Sequence, residues 1–176
     1  MLSRGRMPGP WKLVALAAAA VAPLLVAGCT SWKLAQPAAA TVMPFDAAPP
    51  ATARVCVVRT SILALAVTFP THDDGVLVGA TRGQSFFCYL AEPGEHEIAI
   101  EADETEHAHL TAKAGESYFL KEEVDNIFGY VKCRSVWVKV DDARDLVASA
   151  DHLVLVGVPG EEKLPGDAPF APAHRR

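Results

Sequence analysis

The sequence predicts a small antiparallel β-sandwich, mainly β, with one short helix near its C-terminal end. Three observations carry this expectation. From Arg54 onward the apolar residues recur with a period of two, clearest in "EHEIAIEA" (95–102), where Ile98 and Ile100 would face inward and Glu97 and Glu101 outward. Turn signals recur at intervals of about 8–12 residues, the spacing of a sandwich or barrel. Only "VDDARDLVASAD" (140–151) carries helical spacing, with Leu146, Val147 and Ala150 on one face.

The elements follow in order. "RVCVVRT" (54–60) and "LALAVTF" (63–69) are apolar and β-branched and read as the first two strands. "THDDGVLVG" (71–79) reads as a turn and a short strand, with Asp74-Gly75 supplying the turn. "QSFFCYL" (84–90) places Phe86, Cys88 and Leu90 on one face. After 95–102 come "HAHLTA" and "ESYFLKEEV", separated by Ala114-Gly115, and then the long strand "YVKCRSVWVKV" (130–140). Asp141 or Asp142 is the expected helix cap. "HLVLVGV" (152–158) is continuously apolar, as a buried strand closing the sheet would be.

The N-terminal region is of another kind. Arg4, Arg6 and Lys12 precede the apolar run Leu13–Val26, and the small residues Ala27 and Gly28 lead to Cys29. These are the parts of a secretory signal. The run, about 14 residues or roughly 21 Å as a helix, is short for a hydrocarbon core of about 30 Å, and Pro23 weakens it further. Its end, "LVAGC" (25–29), resembles the bacterial lipobox. The resemblance implies that Cys29 is diacylated on sulfur, becomes the first residue after cleavage and is acylated on its new amine. Two or three chains suffice for a stable anchor. Thr30 stands where an Asp would imply retention in the inner membrane. In a Gram-negative cell the expectation is therefore the outer membrane, facing the periplasm.

Four segments are expected: a signal peptide at 1–28, a lipidated Cys29 with an Ala- and Pro-rich tether at 29–53, the sandwich at 54–158, and a disordered tail at 159–176. As a flexible coil the tether would reach roughly 27 Å. Cleavage removes Arg4, Arg6 and Lys12 and no acidic residue, which moves the net charge from −5 to −8. An acidic surface repels phosphate backbones, so nucleic acid is not an expected partner. Cys56, Cys88 and Cys133 remain in an oxidising compartment. Because first and last long strands often adjoin in small sandwiches, a Cys56–Cys133 disulfide is expected, with Cys88 reduced on the apolar stripe between Phe86 and Leu90.

The motifs Asp74-Gly75 with Gly79, Pro93-Gly94 with His96, and Ala114-Gly115 with Tyr118 resemble the bacterial lipoprotein family called domain of unknown function 2846. The PEGA surface repeats share this layout. The resemblance covers roughly residues 53–157, and "ARVCVVR" is similar to the family's first strand. It implies an Ig-like or prealbumin-like sandwich on a lipid anchor, with no known activity.

Candidate chemistry is sparse. In "EADETEHAHL" His107 and His109 would share one face of a strand, and with Glu106 they make a candidate zinc site; the plainer reading is a solvated hairpin tip. His96 lies in a turn, where bonding to the turn backbone is the simplest role. "THDD" (71–74) has the form of a His-Asp pair, but no serine stands in a nucleophile setting such as Gly-x-Ser-x-Gly. Asp141, Asp142 and Asp145 lack the glycine and terminal Glu of a calcium loop. Trp137 with Tyr130 is a candidate binding platform, and Trp32 a candidate interfacial residue. The expected function is a lipid-anchored envelope lipoprotein with a binding or scaffolding module, no cofactor and no reaction of its own. Expected partners are the membrane and an envelope protein, peptidoglycan or polysaccharide. The alternative is a zinc-dependent or hydrolytic envelope enzyme using His107 and His109.

Overall fold

The computed structural model of the chain describes residues 31–37, 42–159 and 170–171. The expected signal segment, Cys29 and most of the expected tail lie outside them. The described strands are β1 (Lys33–Ala35), β2 (Ala53–Arg59), β3 (Thr68–Asp73), β4 (Val76–Arg82), β5 (Ser85–Ala91), β6 (Gly94–Glu101), β7 (Thr105–Ala112), β8 (Ser117–Ile127), β9 (Tyr130–Val138), β10 (Asp151–His152), β11 (Val154–Gly157) and β12 (Phe170–Ala171), with the helix α1 (Val140–Ala148) between β9 and β10. None of the described helical segments is long and apolar enough to cross a membrane.

Two sheets make a sandwich. The larger runs β10-β5-β2-β8-β9, with β12 also on β5; the smaller runs β4-β3-β6-β7. Between them pack Val55, Val57, Phe87, Tyr89 and Leu120 from the larger sheet and Phe69, Val78, Ile98, Ile100 and Leu110 from the smaller. The larger sheet is mixed, because its central strands β2 and β8 run parallel, Arg54 opposite Ser117 through Arg59 opposite Glu122. A parallel pair needs a long crossover, and the chain supplies it with β3 to β7, which form the whole smaller sheet and, in β5, a neighbour of β2. A second apolar cluster covers the outer face of the larger sheet: Cys56, Val58, Phe86, Cys88 and Phe119 lie under Ala143, Leu146 and Val147 of α1. Covered on both faces, β2 is buried at every residue, which is why "ARVCVVR" reads as a continuous apolar run. The outer face of the smaller sheet is open, and Glu95, Glu97, His107 and His109 line it.

Several expectations are corrected. The disulfide joins Cys56 to Cys88, with Cα atoms 4.1 Å apart, and the expected Cys56–Cys133 bridge does not form. Cys56 and Cys88 are directly opposed on the antiparallel neighbours β2 and β5. β8 separates β2 from β9, and Cys133 faces the inter-sheet core while Cys56 faces the helix. Cys133 is the free, buried thiol among the described residues.

The expected tether is also part of the folded body where it is described. β1 pairs antiparallel with β11. The Phe45 ring stacks on Phe119 at 5.3 Å, and the buried Arg54 donates to the carbonyls of Asp46 and Ala47. In the expected tail, Phe170 and Ala171 pair with Leu90 and Ala91 of β5. Residues 63–67, expected in a strand, form a loop. Lys139 takes the helix N-cap position without a side-chain bond, and Asp141 and Asp142 occupy the first turn, where they complement the helix dipole. The run 152–158 splits between β10, on β5, and β11, on β1.

Candidate functional site

The densest polar constellation spans the two sheets at the end where β6 begins. Asp73 closes β3, His96 stands on β6 and Tyr89 on β5. The antiparallel pairing of β3 with β6 sets Asp73 opposite Ile98, which brings its carboxylate beside His96. Tyr89 donates its hydroxyl to Asp73 Oδ2 at 2.8 Å, His96 Nδ1 donates to Asp73 Oδ1 at 2.9 Å, and His96 Nε2 donates to the Glu92 carbonyl at 2.7 Å. Both side chains of the Asp73–His96 pair are shut off from solvent, and Asp74 Oδ2 lies 3.6 Å from Nδ1.

Two acceptors flank the imidazole, and the ring donates to both of them when it is protonated on both nitrogens, as an imidazolium. Burial opposes that charge, but the bonds to Asp73 and Glu92 and the charges of Asp73 and Asp74 outweigh it, and the His96 pKa lies above its ordinary value. Burial first, then Asp73, pushes the Tyr89 phenol well up. Among the described residues, Asp73, Asp74 and His96 are the group whose ligand atoms converge closely enough for a metal, within 4.8 Å of one another. The ring offers no free lone pair to accept a metal or a proton while both nitrogens donate. The constellation is built to pin the sheets together. The backbone bond of His96 agrees with the sequence reading; its carboxylate partner, 23 residues away, was not anticipated. In "THDD" it is Asp73 that pairs with His96, while His72 Nδ1 lies 3.4 Å from Glu101 Oε1.

The candidate zinc residues do not converge. His107 and His109 do share the exposed face of β7, but Glu106 faces the other way and accepts from the Ser135 amide at 3.0 Å and hydroxyl at 2.8 Å. His107 Nδ1 lies 3.3 Å from Glu97 Oε1. The period of two that brings the histidines together turns Glu106 inward. Tyr130 and Trp137 stand at opposite ends of β9, about 23 Å apart at the strand rise, and make no common platform. Trp137 is half-buried, with its ring edge-on to Tyr118 and its indole N–H on the His109 carbonyl.

A second buried polar group lies between the sheets. Thr81 donates to Glu122 Oε2 at 2.6 Å, and Oε1 has no partner among the described residues. Burial pushes the Glu122 pKa up to about 7, against the opposing pull of the Thr81 bond and the Arg59 charge. Burial, then the charges of Glu122 and Glu106, pushes the nearby Cys133 thiol up, so it is poorly reactive. A carboxyl whose pKa is higher folded than unfolded contributes stability that is fully present below the unfolded value, about 4.3, and is lost as pH rises through the folded one. The difference corresponds to about 4 kcal/mol. Glu122→Gln should therefore be more stable than wild type at pH 8 and should lose much of the decline between pH 5 and 8. Urea unfolding at the two pH values checks this; an unchanged decline in the variant would contradict it.

The remaining feature is apolar and exposed. The loop between β2 and β3 presents Ile62, Leu63, Leu65 and Val67 to solvent, with Ile62 69% exposed. Its backbone is held from inside: the buried Arg59 donates to the carbonyls of Leu63 at 2.8 Å, Ala64 at 2.7 Å and Val67 at 2.9 Å, with its guanidinium over the Phe69 ring. At the β8–β9 hairpin tip Phe128 is fully exposed, and both Phe128 and Gly129 have positive φ, 53° and 89°. Glycine adopts that region freely; an aromatic residue does so under strain. No family model matches the chain, and no curated protein or solved structure matches it.

Proposed function

We propose that the chain is a lipid-anchored lipoprotein of the cell envelope whose β-sandwich is a binding or scaffolding module. Its address comes from "LVAGC": Cys29 is the first residue of the mature chain and carries the acyl chains. The observation that supports a binding role over a catalytic one is the enclosure of Asp73 and His96, whose ring nitrogens are both spent on internal acceptors. The motifs that resemble domain of unknown function 2846 imply a lipid-anchored sandwich of this kind; in the structure Asp74-Gly75 closes the β3–β4 hairpin and Ala114-Gly115 the turn before β8. Its partner is an envelope protein, peptidoglycan or polysaccharide, and its membrane is the outer one, with the module in the periplasm. Cys29→Ala should leave uncleaved precursor and abolish incorporation of labelled fatty acid. Normal processing and labelling in that variant would overturn the reading.

A further inference from the structure

We propose that one end of the sandwich, formed by the Ile62–Val67 loop and the Phe128 hairpin tip, sits in the surface of the lipid bilayer, so that the module is held by two contacts and in one orientation. This rests on Cys29 being the lipid anchor.

Three observations place the segment around Trp32 beside the apolar loop. Arg82, the last residue of β4, donates from Nη2 to the Trp32 carbonyl at 2.7 Å and from Nε to Thr68 Oγ1 at 2.7 Å. The next residue, Gly83, lies against the loop: a Cβ there would stand 3.3 Å from the Leu65 carbonyl oxygen. Gln84 then donates to the Thr60 carbonyl at 3.1 Å. The β4–β5 turn thus touches both the segment that leads back to Cys29 and the loop that displays Ile62 and Leu65. Cys29 is three residues before Trp32, so a fully extended chain separates them by at most about 11 Å. Acyl chains on Cys29 bring the bilayer to this end of the domain.

The loop is constructed for such a surface. A backbone carbonyl left unbonded in lipid costs several kcal/mol. Arg59 draws three of the loop's carbonyls inward, which leaves the side chains of Ile62 and Leu65 facing out. β8 runs parallel to β2 and continues past Glu122, the partner of Arg59, to Ile127. The hairpin tip with Ile127 and the fully exposed Phe128 therefore lies at the same end, and its strained aromatic residue serves as a second apolar point. Asp103, Glu104 and Asp125 nearby are acidic, which disfavours attraction to anionic lipid. The contact is apolar, and it should form on zwitterionic bilayers and survive high salt.

The test uses mature acylated protein on phosphatidylcholine vesicles with brominated acyl chains. In a Trp32→Phe/Trp137→Phe background, one variant carries Ile62→Trp and a second carries Glu95→Trp, at the exposed start of β6 on the opposite end. Ile62→Trp should emit at shorter wavelength and be quenched several-fold more than Glu95→Trp, at low and high salt alike. Equal quenching, or none at residue 62 in protein that floats with the vesicles, would overturn the orientation and leave the anchor standing. Protein that does not float would refute the anchor and the orientation with it. Self-association in detergent that Ile62→Glu abolishes, without quenching at residue 62, would assign the loop to a second copy of the chain and overturn the membrane contact.

Discussion

Asp73→Ala should destabilise the domain by about 3–5 kcal/mol, the cost of leaving one member of a buried ion pair without its partner. The substitution strips the Tyr89 hydroxyl of its acceptor and leaves His96 with the Glu92 carbonyl alone. Urea unfolding near pH 6 measures the loss, and a cost below about 1 kcal/mol, the range of an exposed pair, would contradict the assignment of an enclosed imidazolium. The pH dependence has a defined sign. The folded pKa of His96 is raised, so its contribution is complete below the unfolded value of about 6.5 and is lost as pH rises through the folded value. Glu122 acts in the same direction over a lower window. The surface carboxylates Glu104, exposed, and Glu123, partly exposed, are held below the ordinary range chiefly by their hydrogen bonds to Lys132 and Lys121, and act in the opposite direction but only as pH falls through the acid range. Wild type should therefore be more stable at pH 5 than at pH 8, and His96→Gln should remove the upper part of that decline.

Loss of the Cys56–Cys88 bridge is expected to cost about 4 kcal/mol on the chain-entropy model for the 32-residue separation it closes. Cys56→Ala/Cys88→Ala, compared with oxidised wild type by denaturant unfolding, measures it. The pair joins the adjacent strands β2 and β5 beneath α1, so removal should also loosen the helix that covers it. Non-reducing peptide mapping should yield one linked peptide pair, containing Cys56 and Cys88, and a Cys133 thiol that reacts only after denaturation. A linked peptide containing Cys133 would contradict the connectivity.

What the sequence made legible was local. The period of two in 95–102 located β6 and its inward isoleucines, and Asp74-Gly75, with φ of 49° and 79°, made the predicted hairpin turn. What it hid was pairing between distant segments. Nothing in "RVCVVRT" says that its neighbours are β5 and β8, and without that order the three cysteines could not be matched. The same gap concealed Asp73 as the partner of His96. Composition also misled: the Ala- and Pro-rich segment before Arg54 resembles a linker, yet Phe45 and Arg54 fasten it to the sheet. In "LALAVTF" the apolar residues looked like a strand because β-propensity does not distinguish a buried strand from an apolar loop held by one buried arginine.

Mass spectrometry of the mature chain taken from the cell envelope tests the anchored-module account most directly. The account predicts a chain that begins at Cys29 with two or three fatty acyl groups on that residue. A chain that begins elsewhere, or a Cys29 that carries no acyl group, would contradict it.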